Sequence, residues 1–175
     1  MNTHGGGTFD AARALAEVDA LLAAEIPASG PPEYARKPHT GEFLSVRGEG
    51  YALAELWSGE DLLGVYEKEW EEAQERAYGY LGELVKQLDT RWGAHRDLGN
   101  RVAVRWSEGD PALPPLFEQL RHLDALGTLH VWGPVRPPGG DADRWVALSV
   151  HQIDGDCPFF LTAVVSDRPI EELED

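Results

Sequence analysis

One cysteine, Cys157, is all the thiol that 175 residues contain. No intrachain disulfide can form, which excludes a secreted scaffold held by cross-links. Long apolar runs are missing as well: nothing approaches the roughly 18 consecutive apolar residues of a membrane span. The opening residues MNTHGGGTFD lack the basic start and apolar stretch of a signal peptide, so the cytoplasm is the expected compartment. Cations are scarce, with 15 Lys and Arg against 31 Asp and Glu, a formal net charge of −16 and a pI near 4.6. A nucleic-acid backbone is bound by clustered Lys and Arg. The densest basic stretch, Arg91 to Arg105, is broken by Asp97 and by apolar residues. Nucleic acid and anionic membrane surfaces are therefore both disfavoured as partners.

Motifs that carry chemistry are absent too. There is no His-x-x-x-His or Cys-x-x-Cys zinc pair. Asp154-Gly155-Asp156 does not continue as an EF-hand loop, because Val165 stands where the closing Glu would fall. Gly5-Gly6-Gly7 and Gly139-Gly140 lack the Lys and Ser/Thr of a phosphate-binding loop, and no Gly-x-Ser-x-Gly elbow occurs. These absences lead to the expectation of no cofactor, no metal ligand set and no catalytic residues.

What is present suffices for a folded domain. Apolar residues make up 42% of the chain and six tryptophans are among them, so a sizeable core can form. The length fits one domain. Arginine outnumbers lysine, and Ala, Gly, Pro and Asp are abundant, as a GC-rich bacterial genome would produce.

Periodicity predicts an α+β fold. Residues 1–8 read as a disordered tail before one domain over 9–175. A helix is expected from Phe9 to Glu25, with Thr8 as N-cap and Phe9, Ala12, Leu15, Ala16, Leu22 and Ile26 as its stripe. Pro27 ends it, and residues 27–42, rich in Pro and Gly, read as a linker. The segment 41–57 is ambiguous between short strands and turns. A long helix is expected from Gly59 to Arg91, capped by Ser58, with Leu62, Tyr66, Trp70, Ala73, Ala77, Leu81, Leu84 and Leu88 on one face. Its interior Gly79 and Gly82 mark a possible kink. A strand Arg101–Trp106, a turn at Gly109 and a helix Pro114–Leu126 follow. A three-stranded meander closes the chain, Thr128–Gly133, Arg144–Ile153 and Pro158–Ser166, bringing the sheet to about four strands.

Asp154-Gly155 between two apolar runs reads as a two-residue hairpin turn. Such a turn pairs Val150 with Phe159, Leu148 with Leu161 and Val146 with Ala163. The opposite face then carries Trp145, Ser149, His151 and Thr162, joined by His130 and Trp132 if Leu129 and Val131 point the other way. Both faces are apolar and need cover; the helix Pro114–Leu126 and the long helix are the candidates, a second subunit the alternative.

Several constellations offer groups that carry chemistry elsewhere. His151, Asp154, Asp156 and Cys157 crowd one strand end, with His130 across the hairpin, but Asp and Gly are the residues a tight turn selects. Cys157 has carboxylates and no cation beside it, so it reads as an inert thiol. His95-Arg96-Asp97 could serve acid–base work, yet it lies where basic residues complement a helix C-terminus. The run EKEWEEAQER places Glu67, Glu69, Glu71, Glu72 and Glu75 on helix surface, a solvated face or a ridge that attracts a basic partner. The expected function is accordingly a non-enzymatic acidic domain that binds a protein, plausibly a basic one; inhibitors of the immunity or antitoxin type are the concrete case. The alternatives are a ligand-binding or hydrolytic pocket lined by His130, Trp132, Trp145, Ser149, His151 and Thr162, and a homodimer subunit.

Overall fold

A computed structural model describes residues 7–100 and 113–173. Among these residues seven strands form one antiparallel sheet: β1 (Glu33–Arg36), β2 (Phe43–Gly48), β3 (Tyr51–Ser58), β4 (Arg96–Leu98), β5 (Leu129–Val135), β6 (Arg144–Gln152) and β7 (Phe159–Ser166). The spatial order is β1-β2-β3-β7-β6-β5-β4. Three helices pack on it, α1 (Ala11–Ala23), α2 (Glu67–Trp92) and α3 (Pro115–His122). The α+β class holds, while the expectation of about four strands understates the sheet. The residues called a linker contain β1, and the ambiguous segment that follows forms the β2–β3 hairpin. The anticipated strand over Arg101–Trp106 and the turn at Gly109 lie outside the described residues.

The central strands β6 and β7 are buried on both faces, which is why their sequences, RWVALSVHQ and FFLTAVVS, alternate weakly. On one face Val146, Leu148, Val150, Leu161, Ala163 and Val165 pack beneath α1 and α2. On the other, Ala147, Phe160, Val164, Leu129 and Val131 pack beneath α3, Ile170 and the segment around Ala125. Both covers come from this chain.

Register corrects one expectation. Gln152 pairs with Phe159, Val150 with Leu161 and Leu148 with Ala163, two residues along from the anticipated pairing. The connection runs over residues 153–158. Asp154 Oδ1 accepts from the Asp156 N–H at 2.9 Å, and the Asp154 carbonyl accepts from the Cys157 N–H at 3.1 Å. Pro158 has no N–H to give the ladder, so pairing starts only at Phe159. A shift of two leaves every side chain on its original face, because side chains alternate with period two.

Helix limits also move. Asp10, not Thr8, caps α1, its carboxylate accepting from the Arg13 N–H at 3.2 Å. The buried stripe is Ala14, Leu15, Val18, Leu21 and Leu22, with Ala12 and Ala16 facing solvent. The long helix begins at Glu67 instead of Gly59, so Ser58 caps nothing and Tyr66 stands outside the stripe, 80% exposed. Gly79 and Gly82 interrupt nothing: α2 is continuous and both glycines face solvent. α3 stops at His122, earlier than Leu126, because Asp124 adopts φ 53° and the Ala125 N–H returns to the Leu120 carbonyl. No helix among the described residues is long and apolar enough to cross a membrane.

Candidate functional site

Strand alternation divides the anticipated pocket residues between two faces. Trp132 pairs with Val146, and His130 with Leu148, so both lie on the α1/α2 side. Trp145, Ser149, His151 and Thr162 lie on the α3 side, and the two tryptophans do not meet.

Ser149, His151 and Thr162 form a closed buried network. Ser149 Oγ lies 2.6 Å from His151 Nε2 and 3.2 Å from Thr162 Oγ1, and His151 Nε2 lies 3.0 Å from Thr162 Oγ1. The Gly127 N–H donates to His151 Nδ1 at 2.9 Å, which places the proton of the neutral ring on Nε2. In that tautomer Nε2 donates to the hydroxyls, so it has no lone pair with which to take a proton from Ser149. Burial pushes the His151 pKa down to about 3. Chemically, the trio satisfies polar groups inside a core.

The acidic ridge takes a more defined form. Gly59 to Val65, expected as helix, is a tight loop tied to the hairpin: the Gly59 N–H donates to the Phe159 carbonyl at 2.8 Å and the Leu62 N–H to the Asp156 carbonyl at 3.1 Å. Asp61 Oδ1 accepts from the Leu63 N–H at 2.8 Å. Between this loop and the first turns of α2 lies a cleft of about 240 Å³. Trp57, Leu62, Val65 and Phe159 give it an apolar floor, and Glu60, Asp61, Glu69 and Glu72 line it, with Arg76 the one cation among the described lining residues. Glu67, Glu71 and Glu75 are exposed on α2 but do not line the cleft. Among the described residues none of Glu67, Glu69, Glu71, Glu72 and Glu75 is ion-paired, and Glu72 and Arg76, at i,i+4 spacing, do not pair. Leu63, 73% exposed, and Tyr66 project beside the cleft.

A second polar cluster sits where the C-terminal end of α2 meets the β4–β5 edge. Asp97 pairs with His130 across these strands, and His130 Nδ1 lies 2.7 Å from Asp97 Oδ1. His95 Nε2 lies 3.2 Å from the same oxygen. On its other side His95 Nδ1 lies 2.9 Å from Asp89 Oδ1, which also accepts from the His95 N–H and from Trp132 Nε1, each at 3.0 Å. Burial works to raise the Asp89 pKa, but the His95 and Trp132 hydrogen bonds outweigh it and hold the carboxyl below its usual range. The His95–Asp97 pair was visible as sequence; Asp89 and the convergence with His130, 33 positions beyond Asp97, were not. The usable signal was the two-residue spacing, which puts His95, just before β4, on the same side as Asp97.

Cys157 is half-buried and lines a separate cleft of about 360 Å³ with Arg36, Glu55 and Phe160. Burial and then the hydrogen bond and charge of Asp154 push its thiol pKa up, which disfavours the reactive thiolate. Lys37 Nζ contacts Glu55 Oε2 at 2.6 Å near that cleft. Against models of known families, curated proteins and solved structures, the chain finds no match.

Proposed function

We propose that this chain is a non-enzymatic binding domain that engages a basic protein through the acidic cleft at the start of α2. The carrying observation is the cleft itself: four carboxylates, from Glu60, Asp61, Glu69 and Glu72, around an apolar floor. That combination suits a Lys or Arg side chain, whose methylene stem packs on the apolar floor while its charge meets the rim. Leu63 and Tyr66 add exposed apolar area next to the charge, the composition of an interface centre with a polar surround. The surplus of acid over the whole chain favours encounter with a cationic surface. Inhibition of a basic toxin or nuclease-like partner is one use of such a surface, by analogy of charge and size alone.

The test is capture from source lysate at about 50 and 500 mM salt, followed by titration of the eluted protein in purified form. Wild-type chain should bind a basic protein, and Glu60→Gln/Glu69→Gln/Glu72→Gln should weaken binding at least tenfold and flatten its salt dependence. Binding that is indifferent to the triple substitution, or a partner without basic surface, would refute the reading.

A further inference from the structure

Apart from the acidic cleft, the described residues bring three potential metal ligands together. One ligand atom from each of His95, Asp97 and His130 lies within 4.8 Å of the other two. We infer that His95, Asp97 and His130 bind a divalent transition ion of the zinc type, with Asp89 and Trp132 orienting the site.

The donor set is the first argument. Two imidazoles and one carboxylate are a ligand set zinc accepts, with metal–ligand bonds of about 2.0–2.2 Å and one coordination position left for water. A tetrahedral site with such bonds spaces its ligand atoms about 3.3 Å apart. His95 Nε2 and Asp97 Oδ1 are already 3.2 Å apart, and His130 Nδ1 and Asp97 Oδ1, at 2.7 Å, need only a small opening.

The hydrogen-bond balance is the second argument. Asp89 receives the Nδ1–H of His95, which leaves the Nε2 lone pair of the neutral ring directed at Asp97. Nitrogen lone pair and carboxylate then face each other at 3.2 Å as two acceptors. Something positive must lie between them, a second ring proton or a cation. A metal ion supplies that charge and meets both lone pairs.

Support from behind is the third. Metal-bound histidines commonly donate their far N–H to a carboxylate that fixes tautomer and ring orientation. Asp89 holds that position for His95, and it is itself fixed by the Trp132 indole and by the His95 backbone N–H. The Trp132 ring also packs 5.6 Å from the His95 ring. Two of the ligands and the supporting carboxylate sit on regular elements, Asp97 on β4, His130 on β5 and Asp89 on α2, while His95 immediately precedes β4. The side chain of Asp97 is 66% exposed, so an ion can enter from solvent and keep its water.

The ion would fasten the three-residue edge strand β4 to β5 and, through His95 and Asp89, to the end of α2. The probes are Zn²⁺ and Co²⁺, titrated separately into metal-free full-length chain. One equivalent should bind. Zn²⁺ should raise Tm by about 5–10 °C at about a hundredfold excess over Kd. Co²⁺ should give the intense visible bands of four-coordinate geometry. Asp97→Asn changes an exposed side chain and His130→Asn a half-buried one, and each should abolish the bands and lower affinity at least a hundredfold. Asp89→Asn keeps all three ligands and should cost roughly ten- to a hundredfold. His39→Ala, at an exposed histidine elsewhere, should change nothing. Failure of the wild type to bind either ion at micromolar concentration would overturn the assignment. So would binding that survives both Asp97→Asn and His130→Asn with circular dichroism unchanged, or that is lost in His39→Ala.

Discussion

His151 makes acid stability measurable at one residue. Its ring is 2% exposed, receives the Gly127 N–H on Nδ1, and lies 5.3 Å from the Phe160 ring, with no carboxylate hydrogen-bonded to it among the described residues. Desolvation holds its pKa near 3 instead of the ordinary 6.5. Below pH 6.5 the unfolded chain therefore takes up a proton that the folded chain refuses. The folded state keeps its full advantage above pH 6.5 and loses it as the pH falls toward 3. At about 1.36 kcal/mol per pH unit the whole loss is of order 4–5 kcal/mol, with about 2 kcal/mol gone by pH 5. Glu17 and Glu55, raised chiefly by burial, act with the opposite sign, so the wild-type curve alone does not isolate the histidine. Comparison with His151→Gln does, since Gln keeps a donor and an acceptor but no titrating ring. The assay is urea unfolding followed by tryptophan fluorescence at pH 7, 6 and 5. The variant should start less stable and show a shallower fall, by about 2 kcal/mol between pH 6.5 and 5. Parallel curves would refute the neutral, network-bound ring.

Three further substitutions probe the framework. Gly79→Ala and Gly82→Ala lie in the interior of α2, where an added Cβ would meet nothing within 4 Å. Each should stabilise by about 0.5–1 kcal/mol, seen as a higher denaturation midpoint, because glycine loses more backbone freedom in a helix. Gly127→Ala should do the reverse, by about 2–3 kcal/mol in the same assay, since its Cβ would collide with the Val150 carbonyl oxygen and stand 2.9 Å from His151 Nδ1.

What could be read from the sequence followed the range of each signal. The meander strands were legible because each is a run of apolar and β-branched residues bounded by Gly, Pro or Asp. Such runs cannot fix register, however. Asp154-Gly155 suggested a two-residue turn, while Pro158 and the Asp154–Asp156 hydrogen bond produce a longer one. The β1 strand escaped notice because EYAR is short, edge-located and mostly exposed, so its apolar signal is weak. Leu62 and Tyr66 matched the spacing of the helix that follows, yet Leu62 is buried from a loop and Tyr66 is not buried at all. Periodicity reports a spacing and does not report whether the backbone there is helical. The divided pocket has a similar origin: the face of β5 relative to β6 depends on pairing, and pairing puts Trp132 opposite Val146. His95, Asp97 and His130 could not be grouped for the same reason, since only the β4–β5 ladder brings them together.

Helix α2 serves both proposed sites, and its geometry argues that they act separately. Glu69 and Glu72 line the cleft near its N-terminal end, and Asp89 holds His95 near its C-terminal end. The seventeen-position step from Glu72 to Asp89, at about 1.5 Å per residue, puts roughly 25 Å between them. Three Debye lengths at physiological salt span about that distance, so charge changes at one end are screened from the other. A mechanical link would have to pass through the helix itself. Its buried stripe, Ala77, Leu81, Leu84 and Leu88, is clamped against the sheet over the intervening turns, leaving no hinge on the packed side. Neutralising the cleft carboxylates therefore leaves the Asp89–His95–Asp97–His130 chain of contacts intact. Removing Asp97 likewise leaves the cleft as it is, so each function can be tested in a molecule that retains the other.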